Sequence, residues 1–342
     1  MSASAPATES ADSHDPRQQQ RIAWARAATG IADLGLHRAS TDAGFRSYWR
    51  TDGGDTRIVM DSPPDKEDVR PWLRIRDLLA RGGVRVPDVL AQDAAEGFLL
   101  LEDLGTDTYL HAINAANADA LFDDAIAQLL KLQAIPPPTD LPDYDEAMLT
   151  RELRLFDEWF LGRHLGIDLD AGDHAQLEAV RRTLIDAALA QPQVLVHRDF
   201  MPRNLMSAMT GPAVLDFQDA VRGPIAYDAL SLFKDAFLSW PQVRIDAWLR
   251  TYHARAKVAG LPVPALDRFR RDADLIGVQR HLKVLGIFAR LRYRDDKPKY
   301  LEDAPRFVAY LDAVLPLYPE LDALNDILER HVRPALAERI GS

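Results

Sequence analysis

Apolar positions recur along this chain with two different periods, and the change from one to the other divides it. In residues 21–34, Ile22, Ala25, Ala28 and Ala32 fall on one side of a helix. Short strand-like runs follow. Residues 36–40 and 45–50 flank a turn at Asp42, Ala43 and Gly44, and the DGGD turn at 52–55 leads into a third run at 57–60. These segments predict an antiparallel meander. After the breakers Pro63 and Pro64, residues 67–80 read as a helix and the unbroken apolar run at 98–102 as a buried strand. Beyond Leu121 the helical period dominates, predicting helices over 121–133, 144–164, 176–190, 226–237, 242–258, 267–293, 300–315 and 321–330. Two interruptions stand out. Residues 194–196 read as a buried strand, and 205–207 with 213–215 read as a hairpin turned by Thr210, Gly211 and Pro212. The pattern predicts an α+β protein, with a tail at 1–20, a small antiparallel-sheet lobe at 21–102 and a larger, mainly helical lobe at 103–342.

Composition narrows the function. At 342 residues, 47% of them apolar, the chain is long enough for two sizeable cores. The net charge of −11 argues against a nucleic-acid partner, because phosphate backbones call for clustered Lys and Arg. There is no cysteine, which excludes a disulfide framework and thiolate metal sites and fits a reducing cytoplasm. The first twenty residues are small and polar without an apolar core, so a disordered tail is expected there rather than a signal peptide. No apolar stretch approaches the ~20 residues needed to span a bilayer, so no membrane association is expected, and no obligate protein partner is evident.

The chemistry is concentrated in VLVHRDFMPRNLM (194–206) and VLDFQD (214–219). Phosphoryl transfer from ATP asks a protein for little covalent chemistry; it must place an acceptor hydroxyl and clamp magnesium on the phosphates. Asp199 beside the hydroxyl, Asn204 five residues on and Asp216 on the next strand supply those groups. The strand and hairpin reading brings all three to one end of the same loop system. An H-x-D-x-x-x-x-N string alone is weak, since it arises by chance in roughly one chain in a hundred. A second Asp-Phe motif behind its own apolar run raises phosphoryl transfer above that background. A meander with one helix, a strand leading out and a helical body is also the layout of the bilobal protein-kinase fold. In that layout FLLLEDLG (98–105) is the hinge, with Glu102 and Leu104 facing the adenine edge through their backbone.

These strings, with GPIAYDALSL (223–232), resemble the aminoglycoside phosphotransferase and choline kinase superfamily over about residues 30 to 310. Together with SPP (62–64), LLLEDLG and GVQRHLKVLGIFARL (277–291), they are similar to the anomeric N-acetylmuramate and N-acetylglucosamine kinases of cell-wall recycling. The resemblance implies an ATP- and Mg²⁺-dependent kinase acting on the anomeric hydroxyl of an amino sugar. In it Asp199 is catalytic, Asn204 and Asp216 ligate magnesium, and Asp228 supports the loop from a helix start; His197 is expected to brace the loop rather than react. The same fold acting on another small alcohol, or a pseudokinase, are the alternatives.

Departures from the protein-kinase pattern matter. Met201 stands where a protein kinase has Lys, and there is no A-P-E segment, which argues against a protein substrate. Gln218 replaces the Gly of D-F-G, and residues 57–60 lack the Lys that normally holds the α and β phosphates. Arg46, Arg50 or Arg57 is left to supply that charge, with Ser47 in the loop beneath the phosphates. For the substrate, residues 268–299 carry an excess of basic residues, among them Arg280, Lys283, Arg290, Arg292 and Arg294. Arg280, His281 or Lys283 is the expected reader of the lactyl carboxylate of N-acetylmuramate; the competing reading is a charged helix face engaged with water or acidic neighbours. Phe156, Trp159 and Phe160 offer a stacking surface for a sugar, although core packing is the ordinary role of such residues.

Overall fold

The computed structural model describes residues 15–41, 45–208 and 211–340. The predicted tail through residue 14, the turn at Asp42, Ala43 and Gly44, and Thr210 lie outside the described residues. The chain divides into two compact units, one of residues 1–74 and 87–105 and the other of residues 75–86 and 106–342. Residue 105 closes the first unit, and residues 75–86 group with the helical unit.

The first unit opens with helix α1 (Pro16–Thr29). It starts inside the stretch expected to be a tail, because Asp15 caps it, accepting from the Arg17 amide at 2.9 Å, and Pro16 supplies a preset φ at the first position. It stops before the expected Leu34 because Gly30 adopts the left-handed conformation at φ 73°. Strands β1 (Leu36–Thr41), β2 (Ser47–Thr51) and β3 (Arg57–Asp61), helix α2 (Arg70–Arg81), whose residues from Ile75 onward group with the second unit, then β4 (Val89–Asp93) and β5 (Phe98–Glu102) follow. The sheet is antiparallel in the order β1-β2-β3-β5-β4. Strand β4 escapes sequence reading because Pro87 precedes it and its VLAQD offers little alternation. Helix α1 is fixed to the sheet by the buried carboxylate of Asp61, which receives Arg17 at 2.7 Å and Arg21 at 2.8 Å. Both guanidiniums lie over aromatic rings, Arg21 at 3.7 Å from the Trp49 centroid and Arg17 at 4.0 Å from that of Phe98.

In the second unit a short α3 (Tyr109–Ala112) precedes α4 (Ala118–Gln133) and α5 (Glu146–Leu155). The last continues as a π-helix, Phe156–Leu165, so the helix expected over 144–164 is present with a change of winding. That change begins beside Gly286, where an added Cβ would meet the carbonyl carbon of Leu155 at 2.3 Å; only a glycine lets the two backbones approach so closely. Phe156 and Phe160 face the core and stack on each other at 5.7 Å, which removes them as sugar platforms. Next come α6 (Ala171–Leu189), β6 (Gln193–Val196), β7 (Leu205–Met206), β8 (Ala213–Val214), β9 (Val221–Pro224) and α7 (Ala226–Phe233). Helix α7 ends four residues early because the Asp235 carboxylate takes the amides of Phe237 and Leu238 at 2.8 and 3.0 Å, a turn that competes with helix. Helices α8 (Gln242–Val258) and α9 (Leu266–Arg294) match their expected spans closely. The helix expected over 300–315 splits into a 3₁₀ turn, Pro298–Asp303, and α10 (Ala304–Val314), with a proline in the first turn of each. Helices α11 (Asp322–Ile327) and α12 (Arg333–Ile340), joined by a π-helical turn, complete the unit. Helix α9 lies at its centre, with both faces buried from Leu275 to Gly286.

Candidate active site

The loop that carries Asp199 and Asn204 runs from β6 to β7, and Asp216 follows β8. β6 pairs with β9, Val196 opposite Val221, and β7 with β8, Leu205 opposite Val214, so both ladders end where the loop begins and returns. The Leu215 amide donates to the Asn204 carbonyl at 2.9 Å, closing the ring of backbone around the site. His197 is a brace. Its Nε2 lies 2.9 Å from the Leu215 carbonyl, which can only accept, and its Nδ1 takes the Asp199 amide at 3.3 Å, so the ring is the neutral Nε2–H tautomer. From the first turn of α7, the buried Asp228 accepts the amides of His197 at 2.7 Å and Arg198 at 3.0 Å.

Two residues beside the reacting groups hold a left-handed backbone that β-carbon-bearing residues rarely adopt. Arg198 has φ 76° and Asp216 φ 62°. Such strain costs roughly 1–3 kcal/mol and persists only where surroundings enforce it. Around Arg198 the enforcing groups are Asp228 on its amide and Glu152 on its guanidinium. At Asp216, Gln218 Nε2 donates to Oδ1 at 2.9 Å, which gives the residue in place of the usual glycine a positioning role. Asn204 donates to the Asp199 carbonyl at 2.9 Å and lies 3.5 Å from Asp216 Oδ2. The catalytic and metal residues expected from the sequence are thus brought together.

Behind Asp199 lies a network that sequence reading did not find. Glu152 of α5, buried, receives Lys283 at 3.0 Å, the Arg198 guanidinium, and the Tyr144 hydroxyl. Gln279 donates to both Glu152 and Tyr144 at 3.2 Å. The Tyr227 hydroxyl accepts from Lys283 and Arg280, each at 3.1 Å, and Arg280 also reaches the Arg198 carbonyl at 3.0 Å and the Asp199 carboxylate at 3.7 Å. Burial works to raise the Asp199 and Glu152 carboxyls, but neighbouring cations outweigh it and hold both below their ordinary values. For Asp199 those cations are Arg280, Lys283 and Arg198; for Glu152 they are Lys283 and Arg198. Lys283 loses charge stability to burial and recovers more than that from Glu152 and Tyr227, so it stays an ammonium. A stripe of Gln279 and Lys283 one helical turn apart was the available signal for this network; Glu152 had none.

A model of the phosphotransferase enzyme family matches residues 35–270. The chain belongs to that family. This phosphotransferase is 52% identical over 327 residues to a Pseudomonas putida protein named N-acetylmuramate/N-acetylglucosamine kinase, covering 92% of this chain and 96% of that one. A Neisseria meningitidis protein of the same name is 43% identical over 319 residues, covering 91% and 95%. Among solved structures, the phosphotransferase resembles a choline kinase from Streptococcus pneumoniae with a TM-score of 0.60 at 14% identity, over 86% of this chain and 99% of that one. The α+β kinase-like fold expected from the sequence is the fold of that neighbour.

The remaining expected site residues of the phosphotransferase fall into separate places. His281 packs in the core, stacked on Tyr310 at 4.9 Å, with neither ring nitrogen hydrogen-bonded; burial pushes it well below its ordinary value and keeps it neutral. It stands apart from the cluster of Arg280 and Lys283 around Tyr227 and is unsuited to holding a carboxylate. In the sheet unit, Arg57 pairs with Asp55 at the surface, and Arg50 grips Asp103 at 2.6 and 3.0 Å and the Gly105 carbonyl at 2.8 Å. Arg50 therefore fixes the segment after β5. Arg46 is buried and pairs with Glu67 at 3.3 Å, and Ser47 accepts from the Trp49 indole at 2.9 Å. Glu102 ends β5 opposite Arg57, its amide bonded to the Asp88 carbonyl at 2.9 Å, and Leu104 is half-buried just beyond. Among the described residues no helix is long and apolar enough to cross a membrane.

Asp228 is expected to give the phosphotransferase a pH dependence. Burial pushes its carboxyl up to about 6, with the backbone amides of His197 and Arg198 pulling the other way. Because this value lies above the ordinary 3.8, the group favours folding most below about pH 4, and that contribution is lost as pH rises through about 6. Activity is expected to run in the opposite sense, since only the carboxylate accepts both loop amides. We expect kcat to fall as pH drops through about 6, and Asp228→Asn to flatten that acid limb while lowering kcat at every pH. A kcat profile across this range checks it; an acid limb unchanged in the variant would assign it to another group.

Proposed function

We propose that the protein is an ATP-dependent kinase that phosphorylates the anomeric hydroxyl of N-acetylmuramate and N-acetylglucosamine, as in peptidoglycan recycling. The observation that carries this reading is the 52% identity to a kinase of that name over 92% of the chain, with the Asp199, Asn204 and Asp216 set intact. Asp199 orients the anomeric hydroxyl and receives its proton as the bond to phosphorus forms. That hydroxyl is more acidic than an ordinary alcohol, and a carboxylate held low by Arg280 is a weak base, so positioning carries more of the rate than proton abstraction.

Asn204 and Asp216 suit magnesium, which takes oxygen ligands and is commonly held by one or two carboxylates plus substrate phosphates. The Asn204 amide nitrogen is turned to the Asp199 carbonyl, which leaves its oxygen for a cation, and Asp216 projects its carboxylate from a strained backbone. Bound there, the ion would neutralise phosphate charge and hold the transferring group in line. Glu102 and Leu104 are assigned to adenine, and Arg46 and Ser47 to the phosphates. Arg46 is favoured over Arg50 and Arg57 because it is buried and carries its own carboxylate partner, Glu67, as the missing lysine usually does.

An ADP-release assay across N-acetylmuramate, N-acetylglucosamine, aminoglycosides and choline, with the product position read by phosphorus NMR, tests the proposal. We expect turnover on the two amino sugars and phosphate on the anomeric oxygen. Phosphate on another hydroxyl, or turnover confined to the other alcohols, would overturn it.

A further inference from the structure

Beside the catalytic loop the helical unit contains a hollow of about 410 Å³, within the ~300–1,000 Å³ range of small-molecule sites. Its wall includes Arg203, the residue before Asn204, with Thr108 and His111 at the start of α3, Phe237 beyond α7, and Lys299 and Tyr300 of the 3₁₀ turn after α9. Backbone ties this wall to the reacting end of the loop, because Thr108 bridges to Met206 and the Asp107 carbonyl accepts the Ser207 amide at 2.8 Å. A larger hollow of about 750 Å³ lies along the outer face of α5, and none of the catalytic-loop residues borders it.

The smaller hollow has the chemistry of an anionic sugar site. Phe237 and Tyr300, with ring centroids 6.4 Å apart, offer aromatic faces to the C–H side of a pyranose. The Arg203 guanidinium sits 5.1 Å from the Phe237 centroid, and Lys299 adds a second cation. Neither has an ion-pair partner among the described residues, in a protein of net charge −11. The carboxylate in the wall, Asp303, is engaged by Arg306 at 3.0 Å. The cations expected from the sequence, Arg280 and Lys283, are by contrast engaged with Asp199 and Glu152.

We propose that this hollow binds the acceptor sugar and that Arg203, assisted by Lys299, holds the lactyl carboxylate that distinguishes N-acetylmuramate from N-acetylglucosamine. This inference rests on the amino-sugar kinase reading above. A planar guanidinium grips both oxygens of a carboxylate, and packing on Phe237 restricts it beforehand. The readout is the ratio of kcat/KM for N-acetylmuramate to that for N-acetylglucosamine, measured on the full-length enzyme. A charge-assisted hydrogen bond predicts that Arg203→Gln lowers this ratio roughly ten- to a hundredfold, with Arg203→Lys between it and wild type and Lys299→Met losing severalfold. An unchanged ratio in Arg203→Gln overturns the proposal. Should that variant lose activity on both sugars, Lys299→Met decides, and an unchanged ratio there overturns it equally. Wild-type enzyme inactive on both sugars would defeat the functional reading itself, an outcome distinct from an active enzyme whose ratio ignores these cations.

Discussion

Replacing Asp216 with alanine is expected to lower kcat by roughly 10³ or more. Charge stabilisation by a clamped metal ion amounts to several kcal/mol in the transition state, and each 1.36 kcal/mol is a factor of ten in rate. Asp216 is the carboxylate of the proposed clamp, and Asn204 alone provides a neutral ligand. The backbone complicates the alanine variant, because Asp216 sits at φ 62° and an alanine there is strained by roughly 1–2 kcal/mol. Asp216→Asn separates the two effects. Asn tolerates the left-handed region and keeps the shape that Gln218 contacts, while removing the charge. The asparagine variant should therefore keep its Tm near wild type and still lose most of its turnover. Steady-state ADP release at saturating magnesium, with wild type in excess chelator as a parallel, makes the measurement. Near-normal kcat in the asparagine variant would remove Asp216 from the clamp.

The parts of this site that were legible in the sequence are those that local chain geometry forces. Val194, Leu195 and Val196 form a strand because an apolar run of that length is stable only when buried, and the loop after it must then emerge at the strand's end with Asp199. The Leu205 and Val214 pairing follows from the same logic on either side of Gly211, whose φ of 98° suits a tight turn. Helices α8 and α9 are long and periodic, and their ends fell close to where the pattern put them. Strand β9 did not announce itself, because VRGP contains a glycine and a proline and is a strand only through its pairing with β6. Gly223 packs closely there, since a Cβ would crowd the Tyr144 side chain at 3.2 Å and the Val196 side chain at 3.3 Å.

Charge was the least legible property. The basic residues of α9 were visible, but their partners come from elsewhere in the sequence: Glu152 from α5, Tyr227 from α7 and Asp199 from the loop. A cation whose partner lies 131 residues away, as Glu152 does from Lys283, looks available when only its own helix is read. His281, next to Arg280 in sequence, points instead into the aromatic cluster of Phe307 and Tyr310, since neighbours on a helix diverge by about 100°. The hollow lined by Arg203 and Lys299 had no sequence signature at all, because its walls come from four segments that only the tertiary fold assembles.

Substituting Asp199 with asparagine is expected to lower kcat by roughly 10² to 10⁴, the span for losing a positioned acid or base, while ATP affinity is maintained or rises. The separation follows from the surroundings. Arg198, Arg280 and Lys283 pair with two carboxylates, Glu152 and Asp199, and Asp228 adds a third nearby on the loop amides. Removing the Asp199 charge shifts this balance toward positive and makes the region more favourable to a polyphosphate. It also frees Arg280, whose remaining bonds to the Arg198 carbonyl and Tyr227 hydroxyl keep it in place. The loop itself should hold, because its order comes from the Asp199 backbone, amide to His197 and carbonyl to Asn204, and not from the carboxylate. Calorimetric titration with ATP and magnesium, beside kcat at saturating sugar, tells the alternatives apart. If ATP affinity collapsed together with kcat, Asp199 would be a metal ligand or a structural support, and the hydroxyl-orienting role would have to pass to another group.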